Sequence, residues 1–297
     1  MDRLKSRIQE AANGNRFTEL LFGTKSGING VSHKLFKISP DDKNQLLSSC
    51  KYEPVSPWVL DQLLHYYEEQ EFDAASHFYF LLKGIPNTET LQGHLFERQV
   101  LRHLCGISTS KVFQLRGLAD SSEIRWTCHG PIRRITFTKS TFCNELTEAV
   151  RNRVPVQLVP SIPNFAAIDS INYDPNNGEI ALTFIRVTMN LEHDIAVSSL
   201  KKIQHWLKSR TPLEGLRPSK KRPWRFVFLV PSDKAPIYKL QTLKDDTVKG
   251  EWAGKVHQYV LGMKEETIFV QRNSSVQGEQ QVRYCPADKF GVSCRFR

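Results

Sequence analysis

Phe165 to Tyr173 and Glu179 to Met189 are two strand-like runs separated by Asp174-Pro175-Asn176-Asn177-Gly178, and this pattern predicts a β-hairpin. With Asn177 and Gly178 as the central turn residues, Ile171 falls opposite Phe184, Asp169 opposite Arg186 and Ala167 opposite Thr188. A four-residue loop instead puts Asp169 opposite Phe184. In both registers Asp169, Phe184, Arg186 and Thr188 share one face, because strand side chains alternate with a period of two.

The segments after the hairpin set the fold class. Residues Glu192 to Ser209 read as a helix with Ile195, Leu200, Ile203 and Leu207 as its core stripe. Trp224 to Val230 is almost continuously apolar and ends at Pro231, as expected of a strand buried on both faces. Strand, helix and buried strand imply a parallel crossover, hence an α/β fold with a central mixed sheet flanked by helices. Upstream, Glu89 to Cys105 reads as a helix, and Ile124–Thr127, Ile132–Phe137 and Val156–Val159 as strands. The front of the chain reads as mainly helical, from Arg3–Ala12 and Pro57–Leu82, and the Gly84-x-Pro86 break divides it from the rest. The expected organisation is a helical section over 1–86, an α/β domain over 87–270 and a loosely attached tail over 271–297.

Charge narrows the partners. Of a net +10, all but one unit sits in residues 201–250, where 13 Lys and Arg face 4 Asp and Glu. Lys201, Lys202, Lys208, Lys220, Lys221, Arg222 and Arg225 are interleaved there with Trp206 and Trp224. The pattern suits a polyanion such as DNA, and Ser219–Arg225 resembles a nuclear import signal; a solvated helix face plus a basic loop is the plain alternative. The longest apolar runs, Phe78–Leu82 among them, are far short of the roughly 20 residues that span a bilayer, so no membrane partner is expected. Met1 to Lys5 is polar and does not read as an export signal. Six cysteines without CxxC spacing read as reduced thiols, and no GxxxxGK[ST] loop exists to cradle ATP.

Gly93-His94-Leu95-Phe96-Glu97, Pro163-Asn164-Phe165 through Ile168-Asp169-Ser170, Ile185-Arg186-Val187-Thr188, His193, Phe226–Pro231 and Val256–Leu261 occur in an order that resembles the C-terminal nuclease-like domain of Crinkler effectors and retrotransposon hot spot proteins. The front section resembles the end of the ATPase domain that precedes it in longer relatives. The resemblance implies a restriction-endonuclease-like fold in which a helix glutamate, an aspartate and a Glu-x-Lys pair surround Mg²⁺ or Mn²⁺. It also implies a secreted effector or mobile-element product acting in a nucleus, with a host nuclear protein as a further partner.

Carried over residue by residue, the resemblance makes Glu97 and Asp169 the metal-binding carboxylates. Such ligands suit a hard divalent cation that activates water and neutralises phosphate. Thr188 occupies the second-strand position. Arg186 departs from the pattern, since the family has Gln-x-Thr and the nucleases Glu-x-Lys there. A guanidinium keeps its proton and binds no cation. Two readings stay open: Arg186 pairs with Asp169 in the metal's place, or it clamps phosphate with His193 as general base. Glu97 and Asp169 also read as carboxylates bonded to a backbone amide or an arginine, and His193 as a helix-start residue. Glu179 is a weaker ligand candidate, and Lys201 or Lys202 would replace the absent lysine from the next helix. The function classes are therefore a metal-dependent DNA endonuclease, a catalytically inactive nuclease fold that binds nucleic acid, and a module for an acidic protein partner.

Overall fold

In the computed structural model the described residues are 36–40, 50–54, Ser56, Val59, Ser76, Tyr79, Phe80, Leu82, Lys83 and most of 89–269. Within that last stretch 108, 131, 162–164, 166–167, 177–181, 209, 245–250 and 253 are outside the description. The helix expected over Arg3–Ala12, Glu179, Ala167, the Asn177-Gly178 turn and the 271–297 tail therefore lie outside the described residues, as does most of the helical Pro57–Leu82 stretch.

Two short antiparallel strands come first, β1 (Phe36–Pro40) and β2 (Cys50–Pro54), in a section expected to be mainly helical. Helix α1 then spans Glu89–Cys105, the range read from its periodicity, with Glu89 in its first turn and Arg102 and His103 in its last complementing the helix dipole. Strands β3 (Lys111–Gly117), β4 (Glu123–Cys128) and β5 (Arg133–Phe137) follow, then helix α2 (Lys139–Asn152). The sequence expectations did not include β3 or α2. Helix α2 is started by a reciprocal Thr138–Thr141 capping box and stopped by Arg153 in the left-handed region at φ 51°. Next come β6 (Val156–Pro160), β7 (Ser170–Tyr173), β8 (Leu182–Val187), β9 (Ile195–Ala196), α3 (Val197–Lys208), α4 (Thr211–Glu214), β10 (Trp224–Pro231), β11 (Leu243–Lys244), β12 (Val256–Met263) and α5 (Glu265–Phe269).

Eight strands form one sheet in the order β4-β3-β12-β10-β8-β7-β6-β5. The β10–β12, β10–β8 and β5–β6 pairings are parallel and the other four antiparallel. The expected mixed α/β sheet is present, and the β8–α3–β10 crossover joins parallel neighbours. Tracing the pairings leaves only β3 and β7 running against the rest. The carboxyl ends of β5, β6, β8, β10 and β12 therefore line one edge, where ligands of α/β sheets bind. The hairpin takes the register in which Ile171 faces Phe184 and Ser170 faces Ile185.

The sheet separates two apolar cores. One joins α1 and α5 to Ile185, Val187, Val227, Leu229 and Leu261, and takes in Val59, Tyr79 and Leu82 from ahead of α1. The other joins α2 and α3 to Phe184, Trp224, Phe226 and Phe228. There Phe184 meets Trp224 at 4.6 Å and Trp224 meets Trp252 at 5.7 Å, contacts worth about 0.5–1.5 kcal/mol each beyond burial. Among the described residues no helix is long and apolar enough to cross a membrane.

Candidate functional site

Asp169 stands immediately before β7 and Arg186 near the carboxyl end of β8. The hairpin register joins them: Arg186 Nη1 donates to Asp169 Oδ1 in a buried ion pair. The other carboxylate oxygen, Oδ2, accepts the Val187 N–H at 2.7 Å, and the Asp169 N–H donates to the Ile185 carbonyl at 2.9 Å. Of the two readings open at Arg186, the structure has the ion pair. Nearby polar groups are incompletely matched, since Arg186 Nε and the Tyr238 hydroxyl are buried without a hydrogen-bond partner. Tyr238 packs on Phe228, which pairs with Arg186 in the register of β8 and β10.

Glu97 comes from α1 and lies within electrostatic reach of Asp169 and Arg186. Burial, followed by the Asp169 charge, pushes its carboxyl up to about 8, while Arg186, Arg98 and Arg134 pull the other way. Burial likewise raises Asp169 to about 6 against the opposing pull of Arg186 and the Val187 amide. At neutral pH the cluster holds a protonated Glu97 beside an Asp169–Arg186 pair. A divalent ion needs ionised oxygens, yet both Asp169 oxygens already have donors and Glu97 keeps its proton. A divalent ion here would have to displace the Glu97 proton and the donors on Asp169, and among the described residues no group of three or more His, Cys, Asp or Glu is placed to hold a metal.

His193 precedes β9 and does not start a helix. Pairing of β9 with β11 takes Ile195 and Ala196 into a two-stranded sheet, so α3 begins at Val197 rather than Glu192. The His193 N–H donates to Gln241 Oε1, and burial together with Arg186 pulls the imidazole down to about 4. His94 on α1 is lowered by burial, then Arg186 and Arg98. Both rings are neutral at pH 7, as burial beside a fixed guanidinium favours. Thr188 is buried, and its hydroxyl accepts the Asn190 N–H at 3.0 Å in a local turn. Neither His94 nor Tyr238 was assigned a role from sequence. His94 lies in the quoted Gly93–Glu97 run, whereas nothing local marks Tyr238.

The basic residues divide into three environments. Lys220, Lys221 and Arg222 project from a tight turn closed by Ser219 N–H to the Arg222 carbonyl at 3.0 Å and Arg222 N–H to the Ser219 carbonyl at 3.1 Å. Lys201, Lys202 and Lys208 lie on α3, with Lys202 and Lys208 exposed and Lys201 3.3 Å from Glu251. Glu251 reaches Lys201 of one group, and a side chain at Gly254 would meet the Lys220 stem of the other at 3.7 Å.

Arg225, expected to contact nucleic acid, is instead 6% exposed. The reason is its strand: β10 has parallel neighbours on both sides and helices over both faces, so all eight of its residues are buried. Arg225 belongs to a row of polar residues in register across six strands, His257, Arg225, Thr183, Asn172, Gln157 and Arg134. Its Nε and Nη1 have no partner, and burial lowers its pKa. Arg225→Met is expected to stabilise the fold by about 1–3 kcal/mol, by removing a buried charge without a counter-ion, and, since Arg225 is buried, to leave any binding of a polyanion at the surface unchanged. Urea denaturation and filter binding check both; a lowered urea midpoint would show that the guanidinium is partnered in solution.

No protein-family model, curated protein or solved structure matches this chain.

Proposed function

We propose that this protein binds nucleic acid on a restriction-endonuclease-like, Crinkler-type fold whose nuclease-type centre is held inactive by Arg186. The observation that carries the reading is the buried Asp169–Arg186 pair, which puts a fixed positive charge where a nuclease of this type would hold its cation. Because Asp169 neutralises that guanidinium, attraction for phosphate comes from elsewhere on the surface. The exposed Lys220-Lys221-Arg222 turn and the lysines of α3 supply the sequence-independent attraction that brings a polyanion to the surface.

The reading accounts for several features together. A protonated Glu97 next to an ionised Asp169 avoids placing two bare carboxylates in one buried site. A neutral His193 and a neutral His94 keep further positive charge away from the Asp169–Arg186 pair. DNA in a nucleus is the ligand the basic turn suits, and an acidic protein is the competing partner.

Two measurements test this. Binding to duplex DNA should weaken steeply with salt, and Lys220→Ala/Lys221→Ala/Arg222→Ala should reduce the log–log slope by roughly two to three, at about 0.9 per lost phosphate contact. An unchanged slope would remove DNA as the partner of that turn. Plasmid incubated with the protein in Mg²⁺ or Mn²⁺ should stay supercoiled. Nicking that EDTA suppresses and Glu97→Gln abolishes would overturn the inactive reading.

A further inference from the structure

A second concavity opens on the same carboxyl edge of the sheet. It has a volume of about 540 Å³ and lies between α3 and the ends of β5 and β6, lined by Phe137, Phe165, Trp206, Lys201, Lys202 and His205. Its walls are aromatic: Phe165 is half-buried, with Trp206 at 5.7 Å and Phe137 at 5.8 Å behind it. Its rim carries Lys202 as an exposed cation beside the exposed imidazole of His205, with Lys201 shared with Glu251. The Phe165 carbonyl accepts the Ile168 N–H at 3.0 Å, and Ile168 directly precedes Asp169 of the paired site.

We infer that this pocket takes the base of an unpaired nucleotide, its ring against Phe165 and its phosphate toward Lys202 and His205. A flat π-surface stacks on aromatic walls with little regard to sequence, and the Lys202 cation at the rim suits a phosphate rather than a neutral aromatic. The volume falls within the range of small-ligand pockets. A paired base stays stacked inside the duplex, so a concave aromatic site selects single strands or bases turned out of the helix. The inference rests on the nucleic-acid reading above and narrows it: the Ser219–Arg222 turn holds the backbone of any polyanion, while this pocket distinguishes unpaired strand.

The test uses the whole chain with two labelled probes, a duplex and a single-stranded oligothymidylate, read by fluorescence anisotropy. The variants are Phe165→Ala and Lys202→Ala/His205→Ala; the second replaces only exposed side chains and leaves the core untouched. Phe165→Ala should weaken oligothymidylate binding by roughly tenfold or more, on the scale of one lost stacked base, with little change for the duplex, and Lys202→Ala/His205→Ala should weaken oligothymidylate binding more than duplex binding. Equal affinity of the parent and both variants for the oligonucleotide would overturn the pocket assignment while duplex binding keeps the broader reading. Binding of neither probe by the parent protein would overturn both. Oligonucleotide binding lost in the variants, with no duplex binding in the parent, would keep the pocket and remove the duplex from the function.

Discussion

Asp169→Ala is expected to cost the folded state about 3–5 kcal/mol, read as a lowered urea midpoint, because it strands the Arg186 guanidinium in a buried site. It also leaves the Val187 amide without its acceptor. Arg186→Met is the milder single change: Asp169 keeps the Val187 N–H and, freed from the arginine that lowers its pKa, takes up a proton more readily. The double variant Asp169→Leu/Arg186→Met removes both charges and is expected to return to within about 1 kcal/mol of the parent or better, since apolar replacements of buried pairs are commonly neutral or stabilising. A cost below about 1 kcal/mol for Asp169→Ala would mean that the pair is open to water and that the centre is not locked. The double-mutant cycle thus measures directly how firmly Arg186 occupies the place of a cation.

The second large effect is on pH dependence. Glu97 is raised from 4.5 to about 8 and Asp169 from 3.8 to about 6, in both cases chiefly by burial. Between its unfolded and folded values each group holds a proton in the native state that the unfolded chain has released. Its stabilisation is therefore complete below the unfolded value and lost as pH rises through the folded one. His193 has the opposite sign: lowered from 6.5 to about 4, it contributes stability above 6.5 that is lost as pH falls toward 4. The carboxyl and imidazole contributions oppose each other in acid, and above about pH 6.5 Glu97 dominates. Two carboxyls hold extra protons against one imidazole, so stability should fall from about pH 5 toward pH 8, at up to about 1.4 kcal/mol per pH unit for one net proton. Glu97→Gln keeps the shape, removes the titration and should flatten that fall. Urea midpoints across the range decide it. A midpoint that rises from pH 6.5 to 8 would show Glu97 ionised in the native protein and available as a ligand.

Both expectations began in short-range features of the chain. The hairpin register set Asp169 beside Arg186, and a side chain that keeps its proton and binds no cation was visible at position 186 in the sequence itself. Helix α1 was legible to the residue because its apolar stripe is continuous, and β10 because a run apolar but for Arg225 leaves no solvent face. Strand β3 alternates more weakly, and α2 is opened by threonines whose reciprocal bonds resemble an ordinary polar loop in the sequence, so both were absent from the expectations. Three basic residues of the Ser219–Arg225 run are on the surface and Arg225 is inside, although charge alone treats all four alike.

The sequence by itself determined the mixed α/β class of the described part and the β8–α3–β10 crossover, and it narrowed the hairpin to two registers. These are set by side-chain period, turn chemistry and residue type, all of which act over a few positions of chain. Only the tertiary structure decided that Glu97 is protonated, that His193 is neutral, that Arg225 is buried and that Phe165 and Trp206 share a pocket with Lys202. Each of those depends on how much water reaches a group and which charges face it. Elements far apart in the chain fix both quantities, so neither is written in the residues around the group itself.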